Sequence, residues 1–164
     1  MTFYFRLLGG GLILLCALMV GREYSSYIAR RIEQHGGFIA LAGHAESKIG
    51  EFLSSGRELW LEFNNSALEE VGLLPLLKEG EGACSAYSKI EKRLALSDDT
   101  KKKLSTFFNE FGSGYRDREL SRASALKKEL EISLIADKEE LEKNAKVLNA
   151  LLVGGGVGLI ILLL

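Results

Sequence analysis

Proline is almost absent from this sequence: Pro75 is the only one in 164 residues. Proline is the residue that most reliably stops a helix, so the chain is free to form very long ones. No alternation of apolar and polar residues persists long enough to build a sheet, and the expected class is all-α. Cysteine is scarce too. Cys16 lies in an apolar run and Cys84 in the charged centre, so no disulfide framework is expected, and a reduced, cytoplasm-facing domain fits best. The two histidines, His35 and His44, have no Cys, His or Asp cluster beside them, which argues against a metal site and leaves His44 an ordinary surface or core residue. Cys84 has no base near it in sequence and reads as a plain buried or half-buried thiol. There is no P-loop, dinucleotide fingerprint, H-E-x-x-H or G-x-S-x-G. Acidic pairs such as Asp98-Asp99 and Glu139-Glu140 are sequence neighbours that diverge by about 100° on a helix, so they make no catalytic dyad. Neither enzyme chemistry nor a cofactor is expected. A formal net charge of −1 also lacks the basic field of a nucleic-acid binder.

What the chain has in abundance is apolar residues, at its two ends. All 22 acidic residues and all but one of the 21 basic residues lie between Arg22 and Lys146. Beyond them, VLNALLVGGGVGLIILLL (147–164) carries no charge, and Asn149 is its one strongly polar side chain. From Arg116 onward there is no glycine before Gly154, so the pattern predicts one helix, roughly 70 Å long, that leaves a watery domain and enters a bilayer. Its final stretch spans about 27 Å, close to the thickness of the hydrocarbon layer.

At the other end, Leu7 to Gly21 is apolar throughout. Counted from Phe3 with Arg6 snorkelling, it is about 19 residues, enough to cross a membrane. A cleaved signal peptide is the rival reading, but no A-x-A pattern stands near Gly21. Arg22, Arg30 and Arg31 follow this span, and Lys143 and Lys146 precede the other. The positive-inside rule therefore places the centre in the cytoplasm. The expected organisation is a transmembrane helix at 1–21, a cytoplasmic helical bundle at 22–146 and a transmembrane helix at 147–164. Gly154 and Gly158 form a G-x-x-x-G pair, which suits close helix packing in lipid and equally suits the ordinary glycine content of membrane helices.

Within the centre, Tyr24, Tyr27, Ile28 and Ile32 recur at helical spacing, and His35-Gly36-Gly37 either breaks that helix or loosens one turn. Periodicity resumes from Phe38 to Leu53. RELWLEF (57–63) suggests a short helix that buries Trp60. Ser66-Ala67-Leu68-Glu69 matches a capping box with Ser66 as cap, opening a helix towards Leu77 that Pro75 ends or kinks near Leu74. Tyr87, Ile90 and Leu94 share a face. Ser97-Asp98-Asp99 starts another helix, which buries Leu104, Phe107, Phe108 and Phe111 and closes at Gly112 and Gly114. On the last helix, Leu120, Ala123, Leu126, Leu130, Leu134 and Leu141 trace an apolar stripe, widened by Ile132 and Ile135. Lys101, Lys102 and Lys103 form a charge run, either a solvated face or a contact for lipid headgroups or an acidic partner.

From Phe107 to Leu164 the sequence resembles the stage III sporulation protein AB family. Phe111-Gly112, Leu120, Leu130, Ala136, Lys143-Asn144, Lys146, Gly158 and the LIILLL end fall in the family's order. Gly50 to Phe63 departs from it, lacking the Pro-Leu that commonly marks the family's second helix. The resemblance implies a membrane component, on the mother-cell side of the forespore outer membrane, of the channel complex built around the forespore. Its cytoplasmic domain is implied to look like the platform domain of type II secretion and type IV pilus F proteins. It would dock a secretion-type ATPase and hydrolyse nothing itself. Exposed charges, Arg57, Glu58 and Lys101 to Lys103, are the candidate contacts. The alternative is a membrane-anchored structural or regulatory homo-oligomer held through its glycine-bearing spans.

Overall fold

The computed structural model describes residues 2–51 and 56–163, without the side chains of residues 2–8, 13, 14, 17, 51, 56, 57, 151, 156, 157 and 159–163. Among the described residues, seven α-helices follow one another: α1 Thr2–Glu51, α2 Gly56–Leu61, α3 Ser66–Glu70, α4 Leu73–Lys78, α5 Ala83–Ile90, α6 Asp98–Glu110 and α7 Arg116–Leu163. A 3-10 turn at Glu91–Arg93 extends α5, and no strand occurs among the described residues. The chain divides into two units, one of Met1–Ala29 with Asp137–Leu164 and one of Arg30–Ala136.

The Arg30–Ala136 unit is a bundle with one core. Phe38, Leu41 and Ala42 from α1 meet Leu68, Leu73, Leu74 and Leu77 from the short helices, Ile90 from α5, Leu104 and Phe108 from α6, and Leu130 from α7. Tyr87 and Phe108 stack at 5.0 Å between ring centres, and Phe38 meets both rings edge-on. Such aromatic contacts add about 0.5–1.5 kcal/mol each beyond the area they bury. The Tyr87 hydroxyl donates to the Lys101 carbonyl at 2.9 Å, and burial pushes its phenol pKa far up. Trp60 is buried on α2, as its sequence suggests, with its ring 5.3 Å from Phe111.

Three local expectations are corrected here. Gly36-Gly37 neither breaks nor loosens α1, which is α-helical through both. Gly37 is instead a notch: a Cβ there would lie 2.8 Å from Asn65 Oδ1 and 3.0 Å from Leu68 Cγ, so the glycine lets α3 approach α1. Asn65, not Ser66, caps α3, its Oδ1 accepting from the Leu68 N–H at 3.1 Å. The break before α4 is made by Gly72, left-handed at φ 88°, and not by Pro75. Pro75 sits in the first turn of α4, where its missing N–H costs no helical bond.

In the other unit, a Cβ at Gly21 would lie 3.3 Å from Leu152 Cδ1, so α1 and α7 pack together there as well. Leu15, Leu18, Met19, Val147 and Val153 are all more than half exposed. Among the described residues no helix is long and apolar enough to cross a membrane, and much of the two apolar ends lies outside the described side chains.

Candidate partner-docking surface

The turn between α6 and α7 is densely hydrogen-bonded. Ser97 caps α6 from the front, accepting from the Thr100 N–H at 3.3 Å, as its place before two aspartates predicts. At the far end Gly112 takes φ 82°, a left-handed conformation that favours glycine. The turn leaves N–H groups of Gly112 and Gly114 converging, and the Glu119 carboxylate fills the gap at 3.2 and 2.8 Å. Arg122 binds Glu119 at 3.0 Å and the Glu110 carboxylate at 2.8 Å. Backbone N–H groups arranged this way form an anion site, and here the chain's own carboxylate occupies it. Next to it, the Arg116 guanidinium donates to the carbonyls of Ile49, at 2.9 Å, and Gly50, at the C-terminal end of α1. The C-terminal end of a helix is the negative end of its dipole, so a cation is favourable there.

Around this frame the sequence-derived contact residues are scattered. Lys102 is exposed, whereas Lys101 and Lys103 are half-buried. Lys103 is engaged within the bundle, pairing with Asp99 at 2.7 Å and donating to Ser133 Oγ of α7 at 3.1 Å. Three consecutive helical positions also fan over about 200°, so the run does not present one patch. Glu58 is exposed on α2, and the side chain of Arg57 lies outside the described residues. Nothing lies within 4 Å of a Cβ built at Gly154 or Gly158.

Cys84 is exposed, not buried, and its thiol donates to Asn109 Oδ1 at 2.7 Å. His44 bridges to the Leu59 carbonyl at 2.8 Å and faces the Phe63 ring at 5.1 Å, tying α1 to the α2 segment. Among the described residues no group of three His, Cys, Asp or Glu side chains is placed to hold a metal ion.

The surface that sequence reasoning missed is on α7. Ile132 and Ile135, expected from the sequence to widen the buried stripe, are instead 68% and 63% exposed, while Ala123, Leu126 and Leu130 carry the core contacts. The signal was present in the spacing, since residues 132 and 135 are displaced from 123, 126 and 130 by roughly half a helical turn.

The family model of stage III sporulation protein AB matches residues 78–164, just over half of the chain. Comparison with curated proteins and with solved structures finds no match.

Proposed function

We propose that this chain, which belongs to the stage III sporulation protein AB family, works as a non-enzymatic membrane platform that docks a secretion-type ATPase. A sporulation-related role follows from the family. Beyond that, the reading holds that Leu7–Gly21 and Val147–Leu164 cross the forespore outer membrane, with the bundle on its mother-cell side. There the bundle serves the channel complex by holding partners and not by chemistry.

The observation that carries this reading is the contrast between the units. The bundle folds most of its large apolar side chains into one core, with Ile132 and Ile135 left out, whereas the other unit leaves Leu15, Leu18, Met19 and Val153 facing outward. A water-soluble surface rarely carries so many large apolar groups, and lipid accommodates them without cost.

A topology reporter inserted after Gly80, scored in the native host, tests the orientation. Cytoplasmic signal is expected, and pull-down of a secretion-type ATPase is then the second step. External signal removes any cytoplasmic ATPase as a partner and sinks the reading.

A second reading is favoured by the open space at Gly154 and Gly158. Here the protein is a homo-oligomer in which another copy's helix packs on those glycines. G154L/G158L lowering the mass of the detergent-solubilised particle, with ATPase recruitment absent in the parent, supports it over the first.

A further inference from the structure

Arg30, Glu33, Gln34 and Gly37 recur along α1 at the spacing that puts helix residues on one face. Gly37 is the notch through which α3 approaches that face. Beside it lies a hollow of about 160 Å³, whose walls include Arg30, Glu33 and Gln34 of α1, Ala67 and Glu70 of α3, and Arg93 of the 3-10 turn. All of them belong to the Arg30–Ala136 unit.

Gln34 is only 6% exposed, so its amide needs partners within the fold or from the hollow. Its Oε1 accepts from the Ala95 N–H at 2.8 Å. That bond fixes the orientation of the amide, because a backbone N–H needs the oxygen and not the nitrogen. Nε2 therefore keeps its two donors, and among the described residues nothing accepts from it, although Gln34 lines the hollow. Two guanidinium groups accompany it. Arg30 and Arg93 are exposed and form no ion pair among the described residues. Arg93 Nη1 lies 4.0 Å from a Cβ built at Gly72, which puts it at the break between α3 and α4. Glu33 and Glu70 line the same hollow and are also exposed and unpaired among the described residues. A simple anion is therefore a poor fit, since the carboxylates repel what the guanidinium groups attract. A ligand with charges of both signs suits all four.

We propose that this hollow binds a small zwitterion of the phosphoethanolamine class. Its phosphate oxygens accept from Gln34 Nε2 and from the Arg30 and Arg93 guanidinium groups, and its ammonium lies by Glu33 and Glu70. The planar fork of arginine matches phosphate, and three donor groups suit its several oxygens better than the two of a carboxylate. The volume falls below the roughly 300–1,000 Å³ of pockets for drug-sized ligands, as a ligand no larger than a headgroup requires. Two sources carry this group: a free small molecule and the headgroup of an ethanolamine lipid.

Gln34 is the only glutamine in the sequence, so isotopic labelling of glutamine side-chain nitrogen gives a single NH₂ signal in NMR spectra. The full chain, in nanodiscs of phosphatidylcholine, is titrated with O-phosphoethanolamine, and separately with inorganic phosphate and with ethanolamine. A saturable shift of the Gln34 signal is expected with phosphoethanolamine, at a concentration about ten-fold lower than with phosphate. R30A and R93A should each weaken binding about five-fold, and E33A/E70A should remove the preference over phosphate. The substituted side chains are exposed, and an unchanged thermal unfolding curve verifies that the variants fold. Discs that contain phosphatidylethanolamine then distinguish the sources. A Gln34 signal already shifted there without added ligand, and restored by R93A, assigns the lipid headgroup, whereas an unshifted one assigns the free molecule.

Absence of a saturable shift with phosphoethanolamine overturns the proposal and leaves water as the partner of Gln34 Nε2. A shift that inorganic phosphate reproduces at the same concentration overturns it as well, because the carboxylates then contribute nothing to recognition. So does a shift that R30A/R93A leaves unchanged.

Discussion

A methyl group at position 37 would press on Asn65 Oδ1 and the Leu68 side chain, the latter fully buried. Gly37→Ala should therefore destabilise the bundle by about 1–3 kcal/mol, as overpacking does. Gly36→Ala meets nothing within 4 Å and should stabilise it by about 0.5–1 kcal/mol, because alanine is the better helix former. Chemical denaturation of the two variants separates them by sign. In sequence, the pair looked like one helix breaker. Glycine spacing alone cannot distinguish a flexible joint from a notch, because the partner that requires the notch, α3, comes some thirty residues later. Glu119 was missed for a similar reason: it reads as one more charge on an amphipathic helix, and only the folded turn gives it two N–H donors and Arg122. Glu119→Ala should cost about 1–3 kcal/mol in unfolding free energy, since it leaves two turn donors without their acceptor and Arg122 with Glu110 as its remaining carboxylate.

Helix capping divides α3 from its sequence reading in a way that can be measured. Asn65→Ala removes the observed cap and should lower stability by about 1 kcal/mol, whereas Ser66→Ala should shift it by only a few tenths. The reverse ranking would reinstate the capping box. Helices with strong periodicity and an unambiguous start were legible from the residues alone. Ser97 caps α6, and Leu104, Phe107 and Phe108 bury as their spacing requires. The short helices were less so, because tertiary packing on α1 sets where they stop more than their own five or six residues do. On α7 the period was right, but the width of the buried stripe was overestimated. A bundle gives each helix one side, and Ile132 and Ile135 lie beyond it.

At the scale of the molecule, the long helices of the bundle are tied by charge as well as by core. Glu46 of α1 accepts from Ser124 and pairs with Lys127, both on α7, and these hold its carboxyl below its ordinary value of 4.5. Lys89 and Lys48 do the same for Glu81 and Glu62. A carboxyl lowered on folding contributes stability that is present above its unfolded value and lost as pH falls through the folded one. Thermal unfolding at neutral pH should find Glu46→Gln less stable than the parent, with the gap closing below about pH 4.5. A gap that stays constant down to pH 3 would mean that the carboxylate's charge contributes nothing.

The unit composed of Met1–Ala29 and Asp137–Leu164 is assembled from segments separated by the whole bundle. At roughly 5–20 residues per second, a ribosome delivers its second half at least several seconds after its first. During that interval Gly21 has no Leu152 to lie against, and Leu15, Leu18 and Met19 are already as open as they stay in the finished unit, while the bundle, contiguous in sequence, is emerging. Nascent chains arrested near Ala136 would hold a bundle sequence ready to fold and a first half still waiting. On the membrane reading proposed above, whatever shelters those side chains acts before the final helix exists.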